Sequence, residues 1–198
     1  MVEPFDSEMV KSNMNEFSMA GLHGAGGSTD ATHVGMEKCY HRLMNHHSGA
    51  KLKMPSRTYN LTASHRRRIL STIRGHPARW NDKTLILFDT LATGIHDGTL
   101  YDDIYFELKE YDRNGNVITR IYQGIWLLVD NGYLSWPTTI PPFKTTDQRK
   151  EIRFSEWLES MRKDVECTFG IMKGRFRILK TGIRLHGTTP TDRIWSVS

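Results

Sequence analysis

Apolar and polar positions alternate over residues 57–61 enough to predict a strand, and residues 27–36 before it read as a first one. A third strand is expected over 69–73, where Ile69, Leu70 and Ile73 gather. Between the second and third, Ala63-Ser64-His65-Arg66-Arg67-Arg68 reads as a basic hairpin turn or a charged sheet edge, since edge strands carry charge that blocks association. Nuclear import or phosphate contact are the alternative uses of that run. Gly75-His76-Pro77-Ala78-Arg79-Trp80-Asn81-Asp82 is rich in breakers and marks a loop. Residues 83–91 form a short apolar run whose period does not choose between helix and strand. Asn114-Gly115, between Tyr111 and Val117-Ile118, predicts a hairpin. The stretch 124–130 contains Ile125-Trp126-Leu127-Leu128-Val129 and reads as a strand buried on both faces. Pro137, Pro141 and Pro142 then hold the chain extended.

A long amphipathic helix follows, expected from an N-cap at Ser155 to about residue 179. Leu158, Met161, Val165, Phe169, Met172, Phe176 and Leu179 recur at steps of three and four and define its apolar stripe. Gly170 and Gly174 inside it each cost about 1 kcal/mol relative to alanine. They point to a close approach of another backbone or a substrate, or to an interruption of the helix. Residues 1–24 carry no sustained period and read as an irregular lead-in. Strands and a long helix are thus both expected along the chain.

The 198 residues suffice for one ordinary core, and 38% apolar with 25% charged residues is the composition of a globular domain. No apolar run nears the ~20 residues that span a bilayer, so no membrane association is expected. Two cysteines, Cys39 and Cys167, are too few for a disulfide framework. Asn60-Leu61-Thr62 fits a glycosylation sequon only by chance, there being no signal peptide in the pattern. The net charge of +5 is unevenly placed: residues 149–184 hold ten Lys or Arg against five Asp or Glu. After Glu166 the run Lys173, Arg175, Arg177, Lys180 and Arg184 is uninterrupted by acid. Such a run is either a solvated helix face or a surface for a polyanion, because phosphate contacts supply most non-specific nucleic-acid affinity.

Three carboxylates stand out against this background. Asp30 lies in the first predicted strand, Asp130 ends the apolar strand, and Glu166 sits at the border of the helix stripe. Carboxylates from two strands and a helix can converge on hard divalent cations, which prefer oxygen ligands and keep places for water and phosphate. Metal pairs of this kind support phosphoryl transfer. Glu159, nearly two turns earlier on the same side, rivals Glu166, and Asp82 and Asp89 are alternative second carboxylates. His33 either orients an aspartate or is an ordinary structural histidine. Cys39, His41, His46 and His47 could ligate zinc, but their spacing matches no common finger. No Gly-x-Ser-x-Gly elbow or Gly-x-x-x-x-Gly-Lys loop is present.

Four blocks in order resemble the catalytic domain of PIF/Harbinger-type transposases and the nucleases derived from them, members of the DDE superfamily. They are Gly27-Ser28-Thr29-Asp30-Ala31-Thr32-His33, then Gly75-His76-Pro77 with Trp80-Asn81-Asp82-Lys83-Thr84, then Leu127 through Leu134, and last Arg162 through Phe176. The resemblance implies an α/β fold, an RNase H-like mixed sheet flanked by helices, within a catalytic domain over 25–198 that lacks its last helix at the C-terminus. It implies Asp30, Asp130 and Glu166 as catalytic ligands of two Mg²⁺ or Mn²⁺ ions, with His33 behind them. It assigns DNA contact to Arg162, Lys173, Arg175, Arg177 and Lys180, Lys173 as a point charge and Arg175 as a bidentate phosphate ligand. The activity implied is a nuclear DNA endonuclease or strand transferase acting on transposon ends, helped by a separate Myb-like DNA-binding protein. A catalytically silent DNA-binding or protein-interaction remnant is the alternative.

Overall fold

The computed structural model describes residues 6–49 and 51–197. Along the chain run α1 (Ser7–Met19), β1 (Ala25–Gly35), α2 (His41–His47), β2 (Ser56–Ala63), β3 (Ile69–Thr72), β4 (His76–Pro77), α3 (Asp82–Ile86) and α4 (Thr90–His96). Then come β5 (Tyr105–Tyr111), β6 (Val117–Gln123), β7 (Trp126–Leu128), β8 (Thr139–Ile140), α5 (Arg149–Arg175), α6 (Arg177–Thr181) and α7 (Thr188–Val197). The main sheet has the order β3-β2-β1-β7-β8, with β4 added to β2. β1 pairs antiparallel with β2 but parallel with β7, and β7 pairs parallel with β8, so the sheet is mixed.

Helices cover both faces, and the alternation of β7 decides which side chain meets which layer. Leu127 and Val129 join Val10 and Met14 of α1, Ile86 of α3 and Ala92 and Ile95 of α4. Leu128 points the other way, to Phe17, Leu158 and Met161. On that second face Val34, Tyr59 and Leu61 meet Val165, Phe169 and Met172 of α5, with Leu179 and Trp195 completing the layer. Burying a side chain of this size contributes roughly 1.5–3 kcal/mol, so the α5 stripe anchors the helix across the sheet. Among the described residues no helix is long and apolar enough to cross a membrane.

Several expectations need correction. The lead-in is helical over Ser7–Met19, because Val10, Met14 and Phe17 recur at helical steps and are buried. α5 begins at Arg149, six residues before Ser155, and Phe154 extends the apolar stripe to that earlier start. Ser155 donates to the Glu151 carbonyl and accepts from the Phe143 N–H, so it braces the approach and does not cap. The helix runs unbroken through Gly170 and Gly174, and a side chain at either glycine would meet open space. Residues 83–91 resolve into the end of α3 and the start of α4, separated by Asp89, whose carboxylate caps α4 through the N–H groups of Leu91 and Ala92.

The basic turn after β2 is tied down by two ion pairs, Arg66 to Glu16 of α1 and Arg67 to Asp164 of α5, and by a His65 hydrogen bond to the same Asp164 carboxylate. The expected hairpin forms as β5–β6, with Tyr111 opposite Val117 and Asp112 accepting from the N–H groups of Asn114 and Asn116. It stands apart from the main sheet as a two-stranded ribbon. α7 is bound to β2 by Asp192, which takes two hydrogen bonds from Arg57 and one from the Tyr59 hydroxyl, while Trp195 stacks on the Tyr59 ring at 4.3 Å.

Candidate active site

Parallel pairing of β1 with β7 sets Ser28 opposite Leu128. Two residues further on stand Asp30, still within β1 and turned to Arg162 of α5, and Asp130, just past the end of β7. Asp130 leaves the strand into a tight turn: its Oδ1 accepts the Gly132 N–H at 2.7 Å, and its carbonyl accepts from the Tyr133 N–H. Asp82 arrives from the first turn of α3, whose N-cap Asn81 accepts from the Thr84 N–H and hydroxyl. A Cβ on Gly132 would stand 2.7 Å from Asp82 Oδ2 and 2.9 Å from Asp130 Oδ1. Only glycine leaves these carboxylates room to face each other across the turn.

The cluster has more negative charge than its neighbours neutralise. Burial pushes the Asp30 carboxyl up to about 6, and the Asp130 charge adds to the push. The Ala31 N–H, at 2.8 Å from Oδ1, and the positive charges of Arg162 and Lys51 oppose it without cancelling it. Asp82 is raised too, by burial first, with Asp130 adding and Lys51 and Arg162 opposing. Desolvation without a full counter-charge is the state of carboxylates that await a cation.

Behind the turn a directional relay of buried groups sets the position of Asp130. The Tyr133 hydroxyl donates to Asn60 Oδ1 at 2.6 Å, and Asn60 Nδ2 donates to Asp89 Oδ2 at 2.6 Å. Asp89 spends its other oxygen capping α4. Burial holds the Tyr133 hydroxyl well above its ordinary range, with Asp30, Asp82 and Asp130 reinforcing it, so it remains a donor. One chain of hydrogen bonds thereby joins the Asp130 turn, β2 and α4.

α5 supplies the remaining predicted groups, and it divides them. Arg162 is 8% exposed and places Nη2 3.8 Å from Asp30 Oδ2, while its Nε is buried without a hydrogen-bond partner. Lys173, three turns on, donates to the Thr32 hydroxyl at 2.6 Å, and burial lowers its pKa. Glu166 lies between them on the same flank of the helix, exposed to solvent. Arg175, Arg177 and Lys180 are also exposed. His33, on the opposite face of β1 from Asp30, bonds the Thr58 hydroxyl at 3.0 Å and not an aspartate; burial and the charges of Lys51 and Lys173 lower it to about 4, so it is neutral. Glu159 is exposed, and His47 is committed to the Ser56 carbonyl.

Among the described residues no three His, Cys, Asp or Glu side chains gather tightly enough to enclose a metal ion by themselves, and this covers the zinc candidates as well as the carboxylates. Mg²⁺ does not require such a cage, because it is commonly held by one or two carboxylates and completes its shell with water and substrate phosphate. Asp30, raised by burial and by the charge of Asp130, together with Asp130 fits that lesser requirement.

The sequence pattern of the family described as plant transposon protein matches residues 4–196. The chain belongs to this family. No curated protein and no solved structure matches it. In this transposon protein the sequence reading leaves out the Tyr133–Asn60–Asp89 relay and Lys51, and it treats Asp82 only as a rival to Asp130. The signals available were Asn-Gly-Tyr directly after Asp130 and a capping pattern at Asn81 and Asp89. Neither reveals that the two helix starts converge on one turn.

Proposed function

We propose that this transposon protein is a divalent-metal-dependent DNA endonuclease or strand transferase, built on an RNase H-like sheet and acting on transposon ends in the nucleus. The observation that carries the reading is Asp30 on β1 beside Asp130, which follows the parallel neighbour β7, with burial first and then the Asp130 charge raising the Asp30 carboxyl. A pair of Mg²⁺ or Mn²⁺ ions supplies Lewis acidity toward a scissile phosphate and lowers the pKa of an attacking water. Asp30 and Asp130 hold metal, and Gly132 and the Tyr133 relay keep Asp130 in place. Glu166, on the helix flank between Arg162 and Lys173, is assigned the third carboxylate. Exposed Arg175, Arg177 and Lys180 grip the phosphates flanking the cut, Arg by its fork and Lys as a point charge. A Myb-like partner supplies sequence readout, which phosphate contacts do not carry.

The test is nicking of supercoiled DNA by the purified chain in Mg²⁺ or Mn²⁺. Wild type converts the plasmid to the open circle, whereas Asp130→Asn reduces the rate at least ~100-fold, the scale on which electrostatic groups act at such centres. Nicking that survives Asp130→Asn refutes the site. One observation favours a second reading, a catalytically silent DNA-binding remnant: Arg162 already stands against Asp30, and Glu166 faces solvent. That reading holds if DNA binds in a salt-dependent manner and no metal restores cleavage.

A further inference from the structure

Immediately before Asp82 the chain builds a cluster of three rings from separate segments. His76 of β4 stacks on Trp80 at 4.8 Å, and Phe88, from the loop between α3 and α4, closes on His76 and Trp80 at 5.0 Å each. The cluster is not sealed: Phe88 is 50% exposed, its neighbour Leu87 is 55% exposed, and Trp80 is half-buried. Large aromatic side chains usually stabilise a fold by leaving water, so an open three-ring face beside a charged site needs another explanation.

Charge indicates what covers it. Arg74, Arg79 and Lys83, all within three positions of His76 or Trp80 along the chain, are exposed. The acids nearby are engaged: Asp89 is buried against Asn60 and the start of α4, Asp192 is paired with Arg57, and Asp82 faces Asp130 across Gly132. Burial and the charges of Arg57 and Arg74 keep His76 neutral, so it presents a ring and not a cation. Rings framed by guanidinium and ammonium groups suit a base stacked on its face with its phosphate held at the rim.

We propose that His76, Trp80 and Phe88 form a stacking platform for an unpaired base of the DNA strand being processed. The inference rests on the nuclease reading and names the substrate that site takes: a strand end or an extruded nucleotide, not an intact duplex. Trp80 and Asp82 are two residues apart, at most ~7 Å of chain. Stacking tolerates any base, because every base has a π-face.

The experiment measures binding of a fluorescein-labelled single-stranded 12-mer and of a blunt duplex of the same sequence, by anisotropy in EDTA. Phe88→Ala weakens single-strand binding about 10-fold and duplex binding less than twofold, and Phe88→Tyr restores it. Arg79→Ala weakens both DNAs and flattens the salt dependence. Urea melts of each variant confirm that the fold is intact. Equal losses on both DNAs, no loss in Phe88→Ala, or no single-strand binding by wild type overturns the platform. Because EDTA removes the metal, absence of plasmid nicking sinks the nuclease reading without touching this measurement, and a nicking enzyme whose Phe88→Ala variant binds single strands normally sinks the platform alone.

Discussion

Asp30 is held in the fold at a cost that pH and substitution both measure. Its carboxyl titrates at about 6 against an ordinary 3.8, so the folded protein binds this proton more tightly than the unfolded chain does. A raised carboxylate contributes stability that is complete below the unfolded value and is lost as pH climbs through the folded one. The loss runs from about pH 4 to above pH 6, and at 1.36 kcal/mol per pH unit it totals about 3 kcal/mol. Asparagine imitates the protonated carboxyl. Metal-free Asp30→Asn is therefore expected to exceed wild type by up to about 3 kcal/mol at pH 7.5, with the difference vanishing toward pH 4. Urea unfolding followed by tryptophan fluorescence, in EDTA across that range, reads the difference directly. Adding Mg²⁺ raises the wild-type midpoint and leaves Asp30→Asn unmoved, since only a state that binds the ion is stabilised by it. An Asp30→Asn variant no more stable than wild type at pH 7.5 refutes the reasoning: Arg162 would then repay the whole desolvation of Asp30, and the site would lack the unmet charge on which metal binding depends.

Two further outcomes test the frame around that carboxylate. Gly132→Ala drives a Cβ to within 3 Å of both Asp82 and Asp130, so it lowers the nicking rate more than the ~1–3 kcal/mol it costs in stability; wild-type nicking by that variant shows that the turn yields. Asp192→Ala leaves the Arg57 guanidinium, whose side chain is 9% exposed, without its counter-charge. Its urea midpoint should fall by the equivalent of about 3 kcal/mol, and Arg57→Met in the same chain should recover part of the loss.

Local patterns carried much of this fold, and distant encounters carried the rest. β1, β2, β3 and the β5–β6 hairpin appear where alternation and Asn-Gly place them, because strand period and turn chemistry are properties of neighbouring residues. The start of α5 was misplaced because Ser155 carries the usual capping chemistry, while the decisive signal was Phe154 continuing the buried stripe. α1 was missed because its amphipathic pattern is short, with only Val10, Asn13, Met14 and Phe17 buried. Asp30 and Asp130 were legible as strand-end carboxylates, but the convergence of Asp82 on Gly132 depends on how α3 packs against β7 and leaves no trace in spacing. His33 shows the same limit: its position in the Asp-Ala-Thr-His run suggested a role beside Asp30, and the alternation of β1 turned it to Thr58.

Arg57 and its partner Asp192 are separated by 135 positions. β2, which pairs with β1 at Asp30 and lends Asn60 to the Tyr133 relay, thus receives its electrostatic lock from a helix far along the sequence. Contacts so remote in sequence form late. A strand that pairs with β1 at Asp30 is therefore fastened only once α7 has docked on it, so the candidate site depends on a contact that closes a very long loop of chain.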